Sequence, residues 1–329
     1  MFIYLMITRR CNCHCSFCIR SNLLHSKAEQ EPSLESLKET IQFLSTEFSG
    51  ATLVITGGEP FLYKNWKVLL EYALEKFSSV VIPSNGTFDQ NVQETLKEYL
   101  NKNLYLQISL DGTQAVHDKI RGEGVFDRVI HNLEGLKDYA SRIIVSSTVG
   151  LHNAENICDL AIFLNGYKFR YWKVSLEQVC TPGFDAEMDY CSWNKLVDRI
   201  LPNCGYEVHI KKQYDFELMD KVLGKEHILH SLKRNCGFGK NKIYIDTNLD
   251  VYPCSCIDLK LGNLKEISSE LLREKFYKLG DITPSEDSPC FSCKYRQLCN
   301  GGCPGYSYKY FGCLNRGDIR CPIVKGSLK

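Results

Sequence analysis

The chain has 329 residues, 44% hydrophobic and 24% charged, enough for one large domain or two ordinary ones. Its 40 Lys and Arg balance 39 Asp and Glu, so no net field draws it to nucleic acid or to an anionic membrane. Collagen-like, coiled-coil and wholly disordered chains are excluded by composition, and the outlying number is 17 cysteines. An odd count without a recognisable secretory signal favours thiols used as metal ligands in a reducing cytoplasm over a disulfide framework. The apolar run Phe2 to Ile7 is too short for a signal-peptide core or a membrane span.

In chain order, FIYLMIT (Phe2 to Thr8) predicts a strand, and Leu34, Leu37, Ile41 and Leu44 fall on one helical face. ATLVIT (Ala51 to Thr56), SVVIP (Ser79 to Pro83), LYLQISL (Leu104 to Leu110), RIIVSSTV (Arg142 to Val149) and YWKVSLEQV (Tyr171 to Val179) predict five more strands. Helical stretches near Trp66 to Phe77, Asn91 to Leu100, Val125 to Tyr139 and Ala154 to Leu164 separate them. Six β-then-α units imply an α/β fold, a parallel sheet covered by helices, with ligands bound at the carboxyl ends of the strands. After about Leu201 the pattern turns to Cys-, Gly-, Pro- and Asn-rich segments with one hairpin-like pair, KIYID (Lys242 to Asp246) and LDVYP (Leu249 to Pro253). Apolar periodicity there is too sparse for a conventional core, so metal clusters are expected to supply cross-links.

The cysteines fall into two concentrations. Four lie between Cys11 and Cys18, including Cys11-x3-Cys15-x2-Cys18, and nine between Cys236 and Cys321. Three thiolates can hold three irons of a cubane and leave the fourth iron open to substrate. Gly57-Gly58-Glu59-Pro60 follows the second strand, Ser84-Asn85-Gly86 the third and Ser109-Leu110-Asp111-Gly112 the fourth. Each alone reads as loop punctuation, but polar groups at successive strand ends converge on one crevice.

This order of motifs resembles the radical S-adenosylmethionine (SAM) enzymes over roughly residues 1 to 200. The resemblance implies a partial TIM-like barrel of six β/α units, with Cys11, Cys15 and Cys18 holding a catalytic 4Fe-4S cluster. It further implies Phe17 beside the adenine, Gly57, Gly58 and Glu59 at the methionine amine, and Ser84, Asn85, Ser109 and Asp111 around the ribose and reacting centre. Arg121, in HDKIRG (His117 to Gly122), matches a position that meets the methionine carboxylate. An adenine-facing segment falls by order at Val149 to Leu151, and Glu177 and Gln178 end the sixth strand where they could face substrate. Reductive cleavage of SAM in that family gives a 5′-deoxyadenosyl radical that removes hydrogen from substrate, chemistry carried by the cofactor.

The spacing Cys290-x2-Cys293-x5-Cys299-x3-Cys303, followed by Cys321 and preceded by Cys236 and Cys254, resembles the SPASM extension with two auxiliary 4Fe-4S clusters. By that resemblance residues 1–205 form the barrel and 206–329 the SPASM-like domain, for three clusters in all. Cys290, Cys293, Cys299 and Cys321 would hold the distal cluster. Cys236, Cys254 and Cys303 would hold the proximal one, whose fourth ligand is open between Cys256, which is on the right loop, and Cys180, Cys204 and Cys313. Leu249 stands where the pattern has a glycine. Structural zinc on the same Cys-x2-Cys knuckle is the competing use of these thiols.

Enzymes of this type mostly modify peptides or proteins by crosslinking, epimerisation or oxidation, which is the first expectation here. A small metabolite substrate is the alternative, and a non-catalytic iron–sulfur carrier a remote one. Ser255 stands after Cys254 where the sulfatase-maturing group has a catalytic aspartate. Expected partners are a peptide or protein substrate and a low-potential flavodoxin- or ferredoxin-type donor. Because the cluster motif begins at residue 11, either a separate peptide-recognition protein or direct docking of the peptide in the barrel mouth is also expected.

Overall fold

The structure, a computed structural model, describes residues 1–19, 31–178, 188–223 and 238–327. The six expected strands are present: β1 (Phe2–Met6), β2 (Thr52–Thr56), β3 (Val80–Ser84), β4 (Leu104–Ser109), β5 (Ile143–Val149) and β6 (Tyr171–Leu176). All pair in parallel, in chain order. The intervening helices are α1 (Leu34–Glu47), α2 (Trp66–Lys76), α3 (Gln90–Leu100), α4 (Gln114–Arg121), α5 (Val125–Gly135) and α6 (Ile157–Leu164). Side-chain caps fix several starts: Ser33 accepts from the N–H of Ser36 at α1, and Asp89 from that of Val92 at α3. The fold is α/β with a parallel central sheet.

The strands alternate. Ile3, Leu5, Leu53, Ile55, Leu104, Leu106, Ile108, Val145 and Trp172 are buried against the helices. Tyr4, Tyr105, Gln107, Tyr171 and Lys173 occupy the other face and are only partly buried. Tyr4 and Tyr171 interact electrostatically although five strand spacings separate them along the sheet, about 24 Å if it were flat. The sheet is therefore rolled, and this second face lines a lumen.

Beyond β6 come α7 (Tyr190–Ile200), β7 (Val208–His209) and α8 (Phe216–Val222). Then follow β8 (Lys242–Ile245), β9 (Asp250–Tyr252), β10 (Gly262–Asn263) and α9 (Ser269–Lys278). Three short helices complete the described chain: α10 (Arg296–Cys299), α11 (Pro304–Phe311) and α12 (Pro322–Gly326). The hairpin forms as expected, but it does not stand apart. β8 pairs in parallel with β1, giving one ten-stranded sheet, and Ile243, Ile245, Val251, Leu272 and Phe276 join the main apolar core. Sparse periodicity thus concealed a real core contribution, because strands of two to four residues are too short to show one. No helix among the described residues is long and apolar enough to cross a membrane.

Candidate active site

The cysteine loop leaves β1 and is pinned at both sides. The N–H of Gly58 donates to the Thr8 carbonyl at 2.9 Å and that of Glu59 to the Arg10 carbonyl at 2.7 Å. A Cβ on Gly58 would lie 2.2 Å from the Arg10 carbonyl oxygen, and one on Gly57 2.6 Å from that of Thr8, so only glycine lets the end of β2 approach the loop this closely. Asn12 Nδ2 donates to Thr87 Oγ1 at 2.9 Å, and its Oδ1 accepts from Asn85 Nδ2 at 2.6 Å. These bonds tie the loop to the SNG turn after β3. Cys11, Cys15 and Cys18 are half-buried, with Cys13 buried between them. The Cys15 thiol is pulled below its ordinary value by its hydrogen bond with Cys13 and by the Arg121 guanidinium, whereas burial pushes Cys11 up.

Glu59 is buried behind the loop. Its carboxylate accepts from Ser84 Oγ at 2.9 Å, the Asn85 N–H at 2.8 Å and the Phe61 N–H at 3.4 Å. Burial outweighs these bonds and raises its pKa to about 7. Asn132 on α5 donates to the carbonyls of Gly86 and Phe88 and so holds the SNG turn from behind.

Asp111, after β4, is fully buried. Its carboxylate accepts from Arg121 Nε at 2.6 Å and the Thr148 N–H at 2.8 Å, and its carbonyl accepts from Asn153 Nδ2 at 2.7 Å. The Asp111 N–H donates to His117 Nδ1 at 3.1 Å. Burial lowers the pKa of His117 to about 4, so its imidazole is neutral. The Arg121 guanidinium lies 5.6 Å from the centre of the Phe17 ring. Phe17 stacks on His152 at 5.1 Å, and His152 Nδ1 is 3.3 Å from the Glu177 carboxylate.

These elements border one cleft of about 1010 Å³ at the carboxyl ends of the strands, lined by Cys11, Cys15, Cys18, Phe17, Gly57, Gly58, Ser84, Asn85, Ser109 and Arg121, with Thr148, Ser175 and Gln178. Two expected residues stand behind the wall instead. Glu59 orients Ser84 and Asn85, and Asp111 holds Arg121. Asn12, Asn153, His117 and His152 were not anticipated; single polar residues carry no spacing signal, and only the fold shows what they bond. Of the adenine-facing segment, Val149 is buried and Leu151 exposed.

In the C-terminal part, Cys290, Cys293, Cys299 and Cys321 line one cavity of about 350 Å³ together with Phe216 and Tyr295. Burial raises the Cys321 thiol to about 11 and pushes Cys290 up as well. Asp220 on α8 accepts from Lys294 Nζ at 2.7 Å and Tyr295 Oη at 3.0 Å, bracing this loop. Cys254 and Cys256 line a separate cleft of about 1280 Å³ that also reaches Met6 and Ile19 beside the first cysteine loop. A Cβ on Gly305 would lie 3.6 Å from Cys303 Sγ and 3.3 Å from Ile257, so Cys303 stands near the Cys254–Cys256 loop. Cys180 and Cys236 lie outside the described residues.

Residues 5–164 match the radical SAM superfamily. That segment is a radical SAM domain. Among curated relatives the chain is 28% identical over 270 residues to sporulation killing factor maturation protein SkfB of Bacillus subtilis (strain 168), covering 80% of this chain and 62% of SkfB. It is also 28% identical over 313 residues to the antilisterial bacteriocin subtilosin biosynthesis protein AlbA of the same organism, covering 90% and 65%. The chain thus spans less than two thirds of either relative. The crystal structure of Streptococcus suis SuiB bound to S-adenosylmethionine superimposes with a TM-score of 0.78 at 17% identity, covering 98% of this chain and 77% of SuiB, and a further SuiB structure holds its precursor peptide SuiA.

The radical SAM site has residues that fit its cofactors. A single tetrahedral ion brings its thiolates to about 3.8 Å from one another, since metal–sulfur bonds are about 2.3 Å. Among the described residues no three His, Cys, Asp or Glu side chains gather around one such point. The three motif thiols line one cleft, where each could take a separate iron of a cubane. A buried carboxylate behind the GG turn and a cleft-lining guanidinium fixed through Nε match in charge the ammonium and carboxylate of SAM.

Proposed function

We propose that this chain is a radical SAM oxidoreductase that modifies a peptide or protein substrate at an unactivated carbon–hydrogen bond, in the manner of a maturase for ribosomally made peptides. The observation that carries the reading is the single cleft holding all three motif thiols together with the GGEP, SNG and β4-end residues and Arg121. The names of SkfB and AlbA, and the SuiB structure with its precursor peptide, support peptides over metabolites as the substrate class.

When bound, the cluster on Cys11, Cys15 and Cys18 supplies the electron that cleaves SAM reductively. The chain's own residues position SAM and shield the site. Glu59, held by Ser84 and Asn85, presents negative charge behind the GG turn to the methionine ammonium. Asp111 fixes Arg121 so that its terminal nitrogens are left for the methionine carboxylate. Phe17, backed by His152, offers a flat apolar face for the adenine. Ser109, Thr148, Ser175 and Gln178 complete the wall around the reacting centre, where exclusion of water and stray hydrogen donors protects the substrate radical.

The proposal includes two auxiliary 4Fe-4S clusters. One sits on Cys290, Cys293, Cys299 and Cys321, the other on Cys254, Cys303 and Cys236 with Cys256 the nearest candidate for a fourth thiol. It also includes a cytoplasmic setting, a flavodoxin- or ferredoxin-type donor and a separate peptide-recognition protein. Iron and acid-labile sulfide per chain test the count. About twelve irons in the anaerobically reconstituted wild type should fall to about eight when Cys11, Cys15 and Cys18 are all alanine. About four falling to none would remove the auxiliary clusters and the main chemical support for a peptide maturase.

A further inference from the structure

One enclosed cation plays no part in the site above. On β6, Trp172, Val174 and Leu176 are buried toward the helices, so Tyr171, Lys173 and Ser175 face the lumen. Ser175 lines the cleft, and Lys173 lies one lumen-facing step beneath it. Strand register places Lys173 level with Ser146 of β5 and, through it, with Ser109 of β4, another cleft residue. The Lys173 ammonium reaches Gln107 Oε1 at 3.4 Å, a long contact with a neutral group. Among the described residues no carboxylate pairs with it, and the charge that acts on it is a second cation, Lys242 of β8. Burial and that like charge both lower its pKa.

An ammonium held away from bulk water without a counter-ion is disfavoured, and an unbranched apolar residue would fill the same lumen more favourably if packing were the only requirement. The position makes sense when an anion arrives. SAM is not that anion, because its carboxylate has Arg121, fixed by Asp111 beside Phe17 and the cysteine loop.

We infer that Lys173 binds a carboxylate of the substrate at the floor of the cleft, beneath Ser175 and in register with Ser109, with Lys242 as a second positive charge. The substrate is thereby selected for an Asp or Glu side chain or a free carboxyl terminus near the carbon that reacts. This deepens the proposed function and rests on it for taking the cleft as the substrate's.

The test uses anaerobically reconstituted enzyme with SAM bound, as wild type, Lys173→Met and Lys173→Arg. Probes are two capped hexapeptide pools identical except for Glu or Gln at one fixed position, and propionate against propionamide, each followed by equilibrium dialysis. The wild type should retain the Glu pool at least tenfold over the Gln pool. Lys173→Met should lose the discrimination and Lys173→Arg keep most of it, with iron content and SAM affinity unchanged in both. Equal retention of the acid and amide probes by wild type, or discrimination surviving in Lys173→Met, overturns the inference. So does a loss of SAM affinity in Lys173→Met, which would assign the ammonium to SAM. Lys173-dependent retention of propionate with neither peptide pool retained would uphold the carboxylate site while refuting the peptide reading. If Lys173→Met does not fold, the charge-keeping arginine variant decides, and its failure to prefer the Glu pool counts against the inference.

Discussion

Glu59→Gln keeps the shape of a side chain buried behind the cysteine loop while removing its charge. In the wild type both carboxylate oxygens accept hydrogen bonds, from Ser84, Asn85 and Phe61. A glutamine can place its oxygen toward the Asn85 N–H and its amide toward Ser84, whose hydroxyl can turn to accept. The turn should therefore survive and the clusters with it. What disappears is attraction for the SAM ammonium. Because Glu59 acts from behind the GG turn and not in direct contact, the lower end for charge-assisted bonds applies, about 1.5–2 kcal/mol, which corresponds to a roughly 10- to 30-fold weaker SAM affinity. The pH profile sharpens the test. With Glu59 ionising at about 7, SAM affinity in the wild type should fall about tenfold per pH unit below that value. It should decline again as the SAM amine loses its proton near pH 7.7–8.0, a typical α-amino value of about that size. The glutamine variant should show only the alkaline limb. Equilibrium dialysis of labelled SAM from pH 5.5 to 9 measures both, with iron content as the control for the loop. SAM binding within twofold of wild type, or an acid limb that persists in the variant, would refute the reasoning.

The same titration bears on stability. The folded protein keeps the Glu59 proton up to about pH 7, whereas the unfolded chain releases it near the ordinary 4.5. This contribution is complete below about 4.5 and is lost as pH rises through 7, on the order of 3 kcal/mol, and denaturant midpoints compared with Glu59→Gln should show the difference shrinking over that window. Arg121→Met should destabilise by about 3–5 kcal/mol, because it leaves the fully buried Asp111 charge unpaired. Adding Asp111→Asn should recover part of that loss in a double-mutant cycle, and additive losses would deny the pairing. Gly58→Ala would force a Cβ against the Arg10 carbonyl, so cluster content at the first site should drop along with the thermal midpoint. A wild-type iron count in that variant would mean that the loop does not depend on this close approach.

The six strands were readable because each is a short run of apolar or β-branched residues bounded by turns, and the cysteine motif because three thiols at fixed steps are rare by accident. Helix α4 was not read, since QAVHDKIR offers only Val116 and Ile120 as clear apolar positions; its buried residues are Ile120 and the polar His117. Motif position singled out Phe17, Arg121 and Glu59, of which the first two line the cleft and Glu59 stands behind it, but it gave no hint of the part Asp111 plays. A carboxylate at a strand end looks like a ligand, and only the 2.6 Å contact with Arg121 shows it to be a support. Asn12, Asn132 and Asn153 act through partners 42 to 75 residues away or through local turns, relations that no spacing in the chain expresses. Lys173 lay unnoticed within a strand whose neighbours looked wholly apolar.

Residues Phe2 to Leu5 pair with Lys242 to Ile245, so the first strand made on the ribosome gains one of its two neighbours only after some 240 further residues have been joined. At about 5–20 residues per second that is roughly ten to fifty seconds during which one edge of β1 is bare, directly ahead of a loop of reactive thiols. A bare parallel edge is a template for wrong pairing. The order of events in the cell then matters. A cluster loaded on the first loop before β8 is made would be loaded beside that bare edge, and cutting the chain at residue 205 would leave the edge permanently exposed.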